Sequence, residues 1–263
     1  MSLLSRFLSV NKSASAASAA ERLEAALAAH MGGDTRAALR LWVPLAEAGE
    51  PRALNAIGAL YLDGDGVSRD EPHGAALIAR AAEAGLVSAM RNLALLYYEG
   101  KGVAQDHATA VLWYSRAADL GDAEAADMAS WMFLVGGGVE QDYAKALKYG
   151  RQAAEAGRID AMARLGDFYH NALGVPRDPA VAVEWWNKAA EGGHAEAQAM
   201  LGAAYLTGRG TERNIVAALM WLYRARANGS EVAAGFIAQA EAAATPAERA
   251  EAASLASRGG RAP

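Results

Sequence analysis

Apolar and polar positions along this chain recur with a period of 36 residues. A small residue stands at Ala53, Ala89, Ala125, Ala161 and Ala197, and an aromatic one eight positions later at Tyr61, Tyr97, Phe133, Tyr169 and Tyr205. Within one copy, Ala53, Ile57, Gly58 and Tyr61 are spaced i, i+4, i+5 and i+8, which gathers them on one stripe of an amphipathic helix. That helix is predicted to end at Gly64, because glycine takes the left-handed C′ conformation at little steric cost. A loop, GDGVSRD in this copy, carries a second glycine column (Gly66, Gly102, Gly138, Gly174, Gly210) and reaches Asp70. Asp70 and its counterparts Asp106, Asp142, Asp178 and Asn214 can accept from the open amides of a second helix, and Pro179 fits the first position of that helix. Along the second helix, Gly74, Ala110, Ala146, Ala182 and Ala218 precede Leu77, Trp113, Tyr149, Trp185 and Trp221, a column the periodicity assigns to the core.

Fixed repetition of a helical hairpin predicts an all-α fold, a right-handed α/α superhelical solenoid of antiparallel helix pairs in which each unit buries its apolar face against its neighbours. Residues 1–20 read as a flexible N-terminal segment, 21–257 as the solenoid and 258–263 as a disordered tail. The solenoid divides into a degenerate unit (21–50), repeats 51–86, 87–122, 123–158, 159–194 and 195–230, and a C-terminal cap (231–257). In the degenerate unit Leu23 and Leu27 fit the first helix with a loop two residues shorter, and Pro44 is expected to bend or shorten the second. In the cap, Glu241 stands where the aromatic residue belongs. Thr245 to Glu248 reads as a capping box opening a last, polar helix.

The composite pattern AxxxLGxxYxxGxGVxxDxxxAxxWYxKAAxxG resembles the Sel1-like repeat, a relative of the tetratricopeptide repeat, over roughly residues 51–230. The third copy departs from it with Ala129 and Ser130 in place of Leu-Gly. The fourth has Ala172 in place of the first loop glycine, so the turn after Tyr169 is expected to differ. The resemblance implies a non-catalytic scaffold or adaptor that holds another protein, or a peptide segment of one, along the solenoid groove. Trp131 lies two residues from both Ala129 and Phe133, so at ~100° per residue it points away from the hairpin core. By resemblance to the tetratricopeptide groove, its column and neighbours face the concave surface, which would gather Arg91, Tyr98, Asp127, Trp131, Asp167, His170 and Asn171.

Composition narrows the alternatives. With 25 basic and 30 acidic side chains the chain is mildly acidic, which argues against a sequence-independent grip on nucleic acid. It has no cysteine, unlike the disulfide-rich secreted members of the family, some of which are described as hydrolases. The glycine-rich loops follow a helix C-terminus, where the dipole is negative, so they are read as turns and not as phosphate cradles. The five histidines (His30, His73, His107, His170, His194) make no metal-ligand spacing, and no catalytic constellation is evident, so neither enzyme activity, cofactor nor metal is expected. No apolar run approaches the ~20 residues of a membrane span. A cytoplasmic location is therefore expected. The alternative is a localisation factor at the inner membrane face that docks through Met1 to Lys12, whose Leu3, Leu4, Phe7 and Leu8 share one helical face.

Overall fold

A computed structural model describes residues 18–258. Residues 1–17 of the predicted flexible N-terminal segment, Met1 to Lys12 among them, and all but Arg258 of the C-terminal tail lie outside the described residues. Among those described, every regular element is a helix: α1 (Ala19–Met31), α2 (Thr35–Glu47), α3 (Pro51–Asp63), α4 (Glu71–Glu83), α5 (Val87–Glu99), α6 (His107–Asp119), α7 (Ala123–Val135), α8 (Tyr143–Glu155), α9 (Ile159–Asn171), α10 (Pro179–Glu191), α11 (Ala195–Thr207), α12 (Ile215–Ala227), α13 (Ala233–Ala243) and α14 (Pro246–Ser257). They pack as sequential antiparallel pairs, the all-α repeat array that the period predicted. Between Trp113 and Tyr114, within α6, the array divides into two compact units.

Local chemistry sets the helix bounds. The carboxylates of Asp70 and Asp142 accept from the amides of His73 and Lys145, and Asn214 Oδ1 accepts from the Ala217 amide. First helices end where Gly64, Gly100, Gly136 and Gly208 turn left-handed. At the corresponding place in the fourth repeat Ala172 adopts the same conformation, φ 58° and ψ 40°. The turn after Tyr169 therefore does not differ from the others, contrary to expectation. Its geometry is imposed by the flanking helices, and the alanine bears the steric cost. The second loop glycine serves packing: a Cβ at Gly210 would run into the Pro179 carbonyl at the start of α10, and one at Gly102 into that of Glu71 at the start of α4.

Close approach of paired helices explains the small-residue columns. A Cβ on Gly58 would lie 2.7 Å from Ile78 Cγ1, and one on Gly202 2.7 Å from Leu222 Cγ. In the third hairpin the arrangement is inverted. Ser130 occupies the first helix, Gly150 faces it from α8, and the buried Ser130 hydroxyl donates to the Ala146 carbonyl at 2.8 Å. The departure at Ala129 and Ser130 is thus compensated across the hairpin.

The predicted aromatic core column holds only in part. Leu77, Tyr149 and Trp221 are buried, but Trp113 and Trp185 are half-exposed, and the buried rings are those one residue on, Tyr114 and Trp186. One helical position turns a side chain by ~100°, and in the fourth hairpin Gly166 opens the space that Trp186 fills. Trp185 instead lies under the Lys188 ammonium, 4.0 Å from the ring centroid.

Both ends of the array depart from expectation in detail. The first helix begins at Ala19, two residues ahead of the expected start, because Ser18 and Glu21 form a capping box. Ala26 is its buried residue, while Leu27 is 52% exposed, so Leu23 and Leu27 do not form the core stripe. The α1–α2 loop runs from Gly32 to Asp34, against Gly64 to Asp70 in the next repeat, which shifts the register beyond the two residues expected. Pro44 does not shorten α2, which has 13 residues like α1 and α3. Near the last turn it removes a single backbone bond. At the other end Thr245 and Glu248 form the expected capping box, and α14 lies on α12 with Arg224 donating to the Leu255 carbonyl at 3.0 Å. Glu241, the residue in place of the aromatic, accepts from the Tyr223 hydroxyl at 2.8 Å.

Candidate protein-binding groove

In the second unit the first helices of successive hairpins touch one another, α7 against α9, α9 against α11 and α11 against α13. Their seam is polar at one level. Asp127 on α7 is 7% exposed and accepts from Arg164 on α9 at 2.7 Å, with Arg158 at 3.6 Å. The expectation that Asp127 lines an open groove is therefore corrected, since burial and two guanidinium partners commit it to joining the helices. The first unit uses the same level in the same way, with Asn92 Nδ2 donating to Asn55 Oδ1 at 3.0 Å.

The remaining predicted residues separate into two sets. On α5 in the first unit, Arg91 is half-buried, and Tyr98 stacks on His107 with centroids 4.9 Å apart. In the second unit Trp131 is half-buried between the fully buried Ser130 and Met132. Asp167, His170 and Asn171 lie together on α9, and Asn171 is exposed at its end. Trp186 unites the other two. Its Nε1 donates to Asp167 Oδ1 at 3.2 Å, and its ring lies 5.1 Å from that of His170, tilted by 48°. Burial pushes the Asp167 carboxyl above its ordinary pKa, the indole donor opposing the shift. Burial also pushes His170 down, assisted by the positive charge of Arg177.

Beside this cluster is a cavity of about 140 Å³, lined by His170, Pro179, Trp186, Met200, Ala203, Ala204, Thr207, Arg209 and Phe236. Its walls come from α9, α10, α11 and α13, and most of them are apolar. Trp186, Met200 and Phe236 are the principal residues that the repeat pattern did not single out. The signal was present in one column, because Asn92, Met128, Arg164, Met200 and Phe236 stand 36 residues apart and the charged Arg164 gives way to apolar side chains at the last two places. Thr207, the hydroxyl on the wall, donates to the Ala203 carbonyl at 2.8 Å.

Known proteins agree with this architecture. The Sel1 repeat family model matches residues 51–86, 87–122, 123–157, 159–194 and 195–230. A Sel1 repeat protein from Oxalobacter formigenes superposes with a TM-score of 0.78 at 29% identity, covering 90% of this chain and 99% of that one. A protective antigen of uropathogenic Escherichia coli strains with an SLR fold gives a TM-score of 0.79 at 27% identity over 95% of this chain, which spans 56% of that longer protein. No curated protein matches the sequence at a significant level. Five consecutive repeat matches, on helical hairpins whose bounds follow the same period, place the chain in the Sel1 repeat family.

Proposed function

We propose that this protein is a non-catalytic adaptor that holds a segment of another protein against the first helices of its second unit. The observation that carries this reading is the apolar cavity between α9, α10, α11 and α13, whose floor is the buried indole of Trp186. An apolar recess with a few polar groups at its mouth suits an anchoring side chain. The polar groups nearby are engaged structurally: Asp167 with the indole, His170 against its ring and Thr207 with its own helix. None is arranged as a nucleophile beside a base, which supports binding over catalysis.

The test is proximity labelling in the source cell with the intact chain and with Met200→Glu, which places a carboxylate on the cavity wall. A protein labelled by the intact chain and lost with the variant, at equal abundance and melting temperature, is the expected result. An identical labelled set for both would overturn the proposal.

A further inference from the structure

We propose that the segment held at this cavity is acidic, carrying one aromatic side chain with carboxylates beside it. This rests on the adaptor function proposed above and adds the chemistry of the partner. The cavity, at about 140 Å³ with Trp186, Met200 and Phe236 on its walls, is the size of site that receives a single ring; an apolar cavity of about 150 Å³ holds benzene. What surrounds the ring site is cationic. Arg209 lies on the wall, and Arg177 and Arg209 both stand close enough to His170 for their charges to depress its pKa.

Neither arginine is consumed by the fold. Arg177 belongs to a column with Arg69, Gln105, Gln141 and Arg213. Gln105 and Gln141 donate back to the Tyr98 and Leu134 carbonyls at 2.8 and 2.6 Å, Arg213 to the Leu206 carbonyl at 3.2 Å, and Arg69 pairs with Glu71. Among the described residues, the Arg177 and Arg209 side chains make no such bond and no ion pair, and both are exposed. Two nearby carboxylates are already committed. Asp178 accepts from the Ala180 and Val181 amides at the start of α10, and Asp167 accepts from the Trp186 indole. Two uncompensated guanidinium groups beside an apolar recess therefore complement a segment that brings its own negative charge, and they disfavour a basic one.

A library of random linear twelve-residue peptides displayed on phage, panned on the full chain, tests this directly. Enriched sequences should place Phe, Tyr or Trp within a few residues of Asp or Glu. A synthetic version of the best one should bind about tenfold more weakly to an Arg177→Glu/Arg209→Glu double variant of unchanged melting temperature, and more weakly to the wild type as salt rises. Enrichment of neutral or basic peptides, or of acidic ones indifferent to both arginines, would overturn the acidic partner. It would leave the adaptor function standing if Met200→Glu still abolished their binding. Enrichment of no peptide would count against the adaptor function itself.

Discussion

Gly166→Ala should destabilise the protein although it improves helix propensity. The added Cβ would stand 2.8 Å from Trp186 Cγ and nearer still to Cδ1 and Nε1. The indole is 3% exposed and packed against Gly166, so it must leave its rotamer, tilting toward the neighbouring cavity, or push α10 away. Overpacking of this kind costs about 1–3 kcal/mol, and displacement of Nε1 forfeits the bond to Asp167, about 1 kcal/mol. Alanine's helix preference over glycine returns about 0.5–1 kcal/mol, leaving a net loss of roughly 1–3.5 kcal/mol. Gly235→Ala on α13 is the matched control, because nothing lies within 4 Å of its Cβ position and only the propensity gain should remain. Urea unfolding followed by far-ultraviolet circular dichroism measures both. If Gly166→Ala proves neutral or stabilising, Trp186 is not wedged against Gly166 and the cavity floor is misplaced.

Three further outcomes follow from single residues. Ala172→Gly should raise stability by about 0.5 kcal/mol in the same urea assay, since left-handed geometry costs a non-glycine residue about 1–2 kcal/mol and glycine's extra unfolded-state entropy cancels about 0.4–1 of it. Asp127→Ala strands Arg164, whose side chain is 15% exposed, and should cost about 2 kcal/mol, read as a lower urea midpoint at unchanged slope. The folded-state pKa of Asp167 lies above the ordinary 3.8, so this residue's contribution to stability falls as pH rises through that value and the range just above it. Asp167→Asn removes that loss, so its melting temperature relative to wild type should be higher at pH 7 than at pH 3.5.

The hairpins, their caps and their boundaries were legible because each is decided by residues close in sequence: an aspartate three residues before a free amide, a glycine that ends a turn. The inverted pair Ser130 and Gly150 was not, since compensation acts across two helices. Trp186 escaped for a related reason. Two adjacent tryptophans satisfy the same periodicity, and only Gly166 on the facing helix decides which one enters the core. Ala172 misled in the other direction, because tertiary context holds the left-handed turn whatever the residue prefers. At the candidate site Asp167 and His170 were named by resemblance to the tetratricopeptide groove, whereas the burial of Asp127 was hidden because its arginine partners lie on or beside another helix, α9.

A partner segment held in the groove lies on the first helices of the second unit. Hydrogen exchange read by mass spectrometry, on the full chain with and without the protein identified by proximity labelling, tests it most directly. Slowed exchange should appear in α9, in α11 and in the loop Gly208–Thr211 that carries Arg209, with α8 and α12 unchanged. Protection confined to α8, α10 and α12 would place the partner on the second helices and contradict the groove.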